Sequence, residues 1–469
     1  MMNENFRNYA FASAILSCSV GTAQAATTGD ALPAARPVTL AAALAYARTH
    51  QPAVVAALAR ISEAKADAAI PRAEYYPVVG GTAQFLEGTA NNTTASYLGA
   101  ALVDLPRIGG TPFTPSTAKA GWTPHPSTLT AIGVGQEIFD FGRIAAGAAA
   151  ADAQVVVATH ASDTTRLDID LGVEESFFAV QAAKAILKAS EDAYQRASVH
   201  RDFAKAGVKS GLRSPIELTR AEADLSRFDT GRIRARGGVS AAQAVLAAAV
   251  GASEPTLDAA EAPFSQADLP SLSSAIQRAT DKDPRLQEAI GRLRAQELQT
   301  RAVGALMRPD IQLSASVSSR AGGTLANGGG SASGDGYVPN IPNWDAVLVL
   351  SLPLIDPTVT ARERSSRSAE EVRRAEIGIV RQHLVAAVEQ SYVGVAVARE
   401  ALPSLEHELD AARANYAQAD ARFRAGLGTS VELADAEALR TDAEIRLAVG
   451  TFDLARARAA FGRAIAEGL

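Results

Sequence analysis

The chain has 469 residues, 47% of them apolar but only 5% aromatic, with 45 basic against 51 acidic side chains and a formal charge of −6. So mild a charge, with no Lys/Arg block, excludes nucleic acid as the main partner. Alanine supplies much of the apolar share, which suits long, closely packed helices better than a broad aromatic core.

Residues 1–25 read as a secretory signal peptide. Arg7 lies in a polar start, an apolar run follows from Tyr9 to Val20, and Ala23-Gln24-Ala25 offers small residues for cleavage. The only cysteine, Cys18, lies inside this segment, so cleavage after Ala25 leaves no thiol. Lipid attachment at Cys18 is the alternative; Leu16 fits it poorly, because a small residue is usual there. No later stretch has 18 consecutive apolar residues, so membrane residence would have to come from strands.

From Leu40 to about Ala73 the pattern is helical and Ala-rich. After Tyr76-Pro77 the period changes to two, with Val79, Ala83 and Phe85 set against Thr82 and Gln84. A Gly/Pro/Asn-rich loop, Gly88 to Ser127, leads to a second strand at about Leu129 to Phe139. Arg143 to Ser214 then contains no proline, and Leu167, Leu171, Phe178, Ala182, Ile186, Ala189 and Ala193 recur at steps of three, four or seven. This predicts one helix about 100 Å long with a coiled-coil seam. Gly207, Gly211 and Pro215 break it, and another helix follows from Pro215 to about Val250.

The chain then says the same thing again. Ala43-Leu44, Ala47, Pro52 and Pro77 return as Ala275-Ile276, Ala279, Pro284 and Pro309 at an offset of 232. IFDFGR (Ile138 to Arg143) aligns with LIDPTV (Leu354 to Val359) at 216, placing Asp140 on Asp356. GLRSPIELTRAEADL (Gly211 to Leu225) aligns with GLGTSVELADAEALR (Gly426 to Arg440) at 215, seven of fifteen positions being identical. In the second copy a helical pattern runs from Leu272 to about Leu306, and strands lie at Ile311 to Ser318 and Trp344 to Leu354. A loop, Ala321 to Asn343, joins these strands. A long helix follows from Thr358 to about Arg424, with a kink expected at Pro403, and a last helix runs from Ser430 to about Glu467. The domains predicted are a first repeat at 38–250, a linker at 251–271 and a second repeat at 272–469. Each twice-written phrase is a tight turn at the far end of a helical hairpin. Ser214 or Thr429 is placed as N-cap, Pro215 at the first position and Glu217 or Glu432 at the third.

The strands have one apolar and one polar or small face, as in a transmembrane strand or a half-buried hairpin. Four strands cannot close a membrane barrel, because known barrels begin at eight and open edges are not tolerated in lipid. Three chains would supply twelve strands and leave an aqueous lumen. The predicted class is an α+β membrane protein built from a duplicated helix–strand–strand–helix–helix unit. Its four strands join a trimeric 12-stranded β-barrel, continued beneath by long helices.

These features resemble the outer-membrane efflux proteins of the TolC type. The resemblance covers about residues 38 to 467 and rests on the duplication, the His50-Gln51-Pro52 and Lys282-Asp283-Pro284 openings, Phe-Asp-Phe-Gly-Arg at 139–143 and the two tip phrases. It implies a homotrimer in the outer membrane of a Gram-negative bacterium, its 12-stranded outer-membrane β-barrel continued by a long α-helical periplasmic barrel that makes up a large periplasmic portion. Such a duct serves tripartite efflux or type I secretion, passively conducting what an inner-membrane pump delivers through a periplasmic adaptor. The adaptor would meet tip residues Gly211, Leu212, Phe423, Arg424, Gly426 and Leu427. Glu432 and Asp435 fall where the family places a constricting ring of acids. Being three apart they share a helix face, and threefold repetition would bring six carboxylates together and invite cations. The alternative for both acids is simple support of the helix dipole. Arg220 takes the position of Asp435 in the first copy and is the candidate partner of these acids in a closed state. The sequence ends at Leu469, directly after the last helical pattern, without the C-terminal extension of some members.

No enzymatic constellation is visible: six scattered His, no Gly-x-Ser-x-Gly, no phosphate loop, no His-Glu-x-x-His, and no cofactor or metal site. A soluble periplasmic coiled-coil tether or adaptor without a pore is the alternative function. It would be expected to show one helical hairpin splitting a lipoyl-like segment, where this chain shows two hairpins.

Overall fold

The computed structural model describes residues 37–89, 124–262, 268–321, 337–339 and 341–467. The signal-peptide reading of residues 1–25 and most of both strand-connecting loops lie outside them.

Two helices open each copy where the alanine pattern predicts one. α1 (Leu40–His50) and α2 (Pro52–Ala73) meet at Gln51, and α5 (Leu272–Lys282) and α6 (Pro284–Ala305) meet at Asp283. A residue before proline is pushed out of the helical region. Gln51 and Asp283 are accordingly extended, with ψ of 124° and 122°. Each ends one helix and caps the next, Gln51 accepting from Ala53 N–H and Asp283 from Arg285 N–H.

The long helices are α3 (Arg143–Lys209) and α7 (Pro357–Arg424), each followed by a return helix, α4 (Pro215–Val250) and α8 (Ser430–Ala464). Both start on the aligned aspartates. Asp140 accepts from Gly142 and Ile144 N–H, and Asp356 from Thr358 and Val359 N–H. The 139–143 motif is thus a strand-to-helix cap. Pro403 lies inside α7 without ending it. α3 buries Val173, Phe177 and Val180 besides the predicted Leu167, Phe178, Ala189 and Ala193. One seam is too few, because α3 has neighbours on both sides.

β1 (Val78–Thr89), β2 (Pro124–Phe139), β3 (Asp310–Ala321) and β4 (Ile341–Ser351) form one antiparallel sheet in the order β1-β2-β3-β4. β2 begins at Pro124, inside the segment whose composition predicts loop, because pairing with Glu87 to Thr89 of β1 holds it extended in spite of Pro124 and Pro126. The register gathers the apolar residues into rows on one face: Gly81–Ile132–Val317–Trp344, then Val79–Val134–Ala315–Ala346. Trp344 is 75% exposed and Ile132 and Val317 66% each, whereas Ser316 and Ser318 on the other face are buried. Ser316 donates to Asp345 Oδ1 at 2.8 Å on that sheltered side. Among the described residues no helix packs over either face. The sheet is the reverse of a half-buried hairpin on a soluble domain.

The helices continue the strand order as a row. Next to the sheet the order is α2-α3-α6-α7; farther away it is α4-α3-α8-α7. Two clusters of matching composition tie the rows together midway. One holds Ala43, Ala47, Phe177 and Leu246, the other Ala275, Ala279, Leu384 and Phe461. At the ends of the row apolar side chains stay uncovered: Val55, Leu58 and Ile70 on α2, Ile216, Ile233 and Val245 on α4, and Val372, Ile379, Val393 and Val397 on α7. Val372, Ile379 and Val393 share one heptad position, a coiled-coil seam without its partner helix.

Candidate functional site

Both helical hairpins end in the same turn. Gly211 and Gly426 take the left-handed conformation, at φ 75° and 73°. Gly211 N–H donates to Val208 C=O at 3.0 Å and Leu212 N–H to Gly207 C=O at 2.9 Å. Gly426 and Leu427 N–H do the same to Phe423 and Arg422 C=O at 3.1 and 2.9 Å. This pair of reversed bonds is the Schellman closure, in which the residue after the glycine normally packs back on the helix. Here Leu212 and Leu427 instead stand 84% and 74% exposed. A Cβ on Gly426 would meet nothing within 4 Å, so Gly426→Ala should weaken the turn by backbone strain alone, about 1–2 kcal/mol. Hydrogen exchange of residues 421–430 should read that loss as faster exchange without a fall in global stability.

The two return helices start differently. Thr429 Oγ1 accepts from Glu432 N–H at 3.2 Å, the predicted cap. Ser214 has cap geometry but no side-chain cap bond; its carbonyl takes Glu217 N–H at 3.0 Å. The Glu217 carboxylate belongs instead to Arg213, whose Nη1 donates to Glu217 Oε2 at 2.7 Å. Arg213 Nη2 donates to Phe423 C=O at 2.7 Å, and its guanidinium lies 3.9 Å from the Phe423 ring centroid and 5.3 Å from that of Phe203. One arginine of the first hairpin therefore holds the tip of the second.

Phe423, expected among the residues that meet an adaptor, is only 2% exposed. It supports the tip from beneath, since Arg213, Phe203 and His200 all pack on its ring. Arg424 is exposed and donates to Asp420 at 3.0 Å. Glu432 and Asp435 are exposed on α8 and Arg220 is exposed on α4. Among the described residues none of these three side chains makes a hydrogen bond or ion pair, so Arg220 pairs with neither acid within one chain.

Above the tip lies a buried polar layer. Arg196 Nε donates to both Glu437 oxygens at 2.8 and 3.0 Å, and Thr441 Oγ1 donates to Oε1 at 3.2 Å. Burial pushes the Glu437 carboxyl up and Arg196 holds it down. His200 Nε2 lies 2.9 Å from Tyr416 Oη. Burial, then Glu437 and Asp420, push the Tyr416 hydroxyl up to about 12. Among the described residues no cluster of His, Cys, Asp and Glu could hold a metal ion.

Sequence reasoning misses Arg213 and the polar layer. The signal for Arg213 is a mismatch between the copies: at the 215 offset it faces Gly428. Copy one thereby neutralises Glu217, whereas copy two leaves the aligned Glu432 bare. Arg196 and Glu437, 241 residues apart, carry no such signal.

The description Outer membrane efflux protein matches residues 43–252 and 275–467 of the chain. Three solved structures are similar in fold. The Campylobacter jejuni CmeC outer membrane channel has a TM-score of 0.73 at 14% identity, over 92% of this chain and 86% of that one. The open state of the Neisseria gonorrhoeae MtrE outer membrane channel has 0.70 at 17%, over 92% and 89%. The Vibrio cholerae outer membrane protein VceC has 0.68 at 17%, over 91% and 96%. No curated protein matches the sequence significantly. The fold class predicted from the sequence is the one found.

Proposed function

Since the chain belongs to the outer membrane efflux protein family and resides in the outer membrane of a Gram-negative bacterium, we propose that three copies form the exit duct of a tripartite efflux or type I secretion assembly. The duct passively conducts what an inner-membrane pump passes on through a periplasmic adaptor. The observation that carries this reading is the strip: sheet and both helix rows are each open at two ends. Among the described residues β1 and β4 each have one partner strand, and lipid tolerates no such open edge. Joining the β4–α7 end of one copy to the β1–α2–α4 end of the next is a head-to-tail contact, which closes as a ring when the rotation fits. Three copies give twelve strands, an even number in the range of known barrels. A soluble tether would leave Ile132, Val317, Trp344 and Leu348 in water.

At the other end, exposed Leu212 and Leu427 with Gly211, Gly426 and Arg424 form the surface that fits an apolar helical partner such as the adaptor. Glu432 and Asp435 form the acidic ring, and Arg220 meets it from a neighbouring copy. The two repeats, 38–250 and 272–469 with the linker at 251–271, are the structural halves of each wall segment. Planar-bilayer recording tests the duct. The purified protein should conduct and prefer cations, and Glu432→Gln with Asp435→Asn should reduce that preference severalfold. Absence of any conductance would refute the pore, and unchanged selectivity would refute the ring.

A further inference from the structure

About three turns above the tip, His200 is enclosed by helices whose charges already balance. Its ring lies edge-on to Tyr416 and Phe423 of α7. The acids facing it are Asp420 on α7, 4.0 Å from Nδ1, Glu217 and Asp224 on α4, and Glu437 on α8. Each of the four has an arginine of its own. Arg424 holds Asp420 at 3.0 Å, Arg213 holds Glu217 at 2.7 Å, Arg227 faces Asp224 at 3.7 Å and Arg196 holds Glu437 at 2.8 Å. A neutral imidazole completes the layer with no charge left over. A proton on His200 adds a cation in a pocket that already holds Arg196 and Arg424.

We propose that His200 makes the packing of the tips sensitive to pH, so that acidification of the periplasm loosens α3 from α7 and frees both turns. The coupling runs through Phe423, which touches His200 on one side and carries the Arg213 clamp on the other. With its Nε2 unprotonated, His200 accepts a hydrogen bond from the Tyr416 hydroxyl; protonation turns that acceptor into a donor.

The sign follows from burial. Burial pushes His200 below the ordinary histidine value; Asp420 pulls it up, and Arg424 and Arg196 push it down again. Above about pH 6.5 the ring is neutral in packed and loosened states alike and favours neither. As pH falls below that value, the loosened, hydrated state takes up a proton that the packed state resists. Packing then loses ground by about tenfold for each unit separating the two pKa values.

The inference rests on the exit-duct reading only for what the freed tips would open. Its test is amide exchange of residues 204–214 and 417–428 in the purified full-length protein at pH 7.5 and 5.5, corrected for the intrinsic pH dependence of exchange. Wild type should open roughly tenfold more at the lower pH, and His200→Gln should respond less than about twofold. Tyr416→Phe removes the hydroxyl that stabilises the neutral ring in the packed state, so it narrows the gap between the two pKa values and should shrink the pH response. Equal responses in wild type and His200→Gln, no response in wild type, or an undiminished response in Tyr416→Phe would each overturn the proposal. Bilayer conductance of the same samples is read separately. An exchange response without a pore would uphold His200 and refute the duct.

Discussion

Leu348→Arg is expected to abolish stable residence in the membrane. Leu348 pairs with Leu313 across the sheet, and both lie on the uncovered apolar face, Leu348 at 66% exposure. An arginine at the midplane of a barrel's lipid face costs about 2–4 kcal/mol. A ring of three copies carries that cost three times, about 6–12 kcal/mol, comparable to the whole margin of a typical folded protein. Ser314→Asn, two residues along from Ser316 and on the sheltered face, is the control and should insert normally. The measurement is the fraction of protein that resists high salt and leaves the membrane only in detergent. Equal fractions for Leu348→Arg and wild type would mean that this face does not meet lipid.

Arg213→Ala should release the two tips from each other while leaving the barrel intact. The change removes two charge-assisted hydrogen bonds, each worth about 1.5–3 kcal/mol, and a stacked cation–aromatic contact of about 0.5–2 kcal/mol. The Phe423 carbonyl keeps a partner, because Gly426 N–H also donates to it at 3.1 Å. The Glu217 carboxylate loses its ion pair. Residues 207–215 and 421–430 should therefore exchange their amides at least tenfold faster, and conductance should rise. Arg213→Lys should lie in between, because a lysine keeps the charge but loses the planar fork that reaches both acceptors at once. If exchange and conductance both stay at wild-type values, Arg213 is not a clamp.

What could be read from the sequence was whatever is written locally. Gly211 and Gly426 mark left-handed turns because only glycine takes that conformation without strain, and both are found there. Asp140 and Asp356 could be aligned before either was seen to cap a helix. The alternation Ile311, Leu313, Ala315, Val317 fixed a strand, and the register then laid these residues on the same face as Trp344 and Leu348. The break at Gln51 and Asp283 was also local, but the alanine periodicity on either side ran across it. Composition likewise misplaced the start of β2, where pairing outweighs two prolines.

The misses share a different cause. Ser214 looks like its counterpart Thr429, but the neighbouring Arg213 takes up the carboxylate of the first turn, and nothing in that stretch says where the guanidinium's other arm goes. The resemblance places Phe423 among the residues that meet an adaptor, and three side chains from α3 and the first turn bury it. Contacts between residues some 200 positions apart are set by how the two hairpins lie together. One sequence displays the parts of such a contact without joining them. The pairing of Arg220 with the acids lies a step further, since within one chain neither Glu432 nor Asp435 has a partner among the described residues.

The mass of the detergent-extracted particle bears most directly on the account. A strip whose β1 and β4 each keep one open edge among the described residues, and whose α7 carries an unpartnered seam, can live in lipid only as part of a closed ring. Light scattering with the detergent contribution subtracted should give a protein mass three times that of the mature chain, with no smaller species from gently solubilised membranes. A single subunit, extracted from the membrane fraction with its sheet folded and stable on its own, would contradict it.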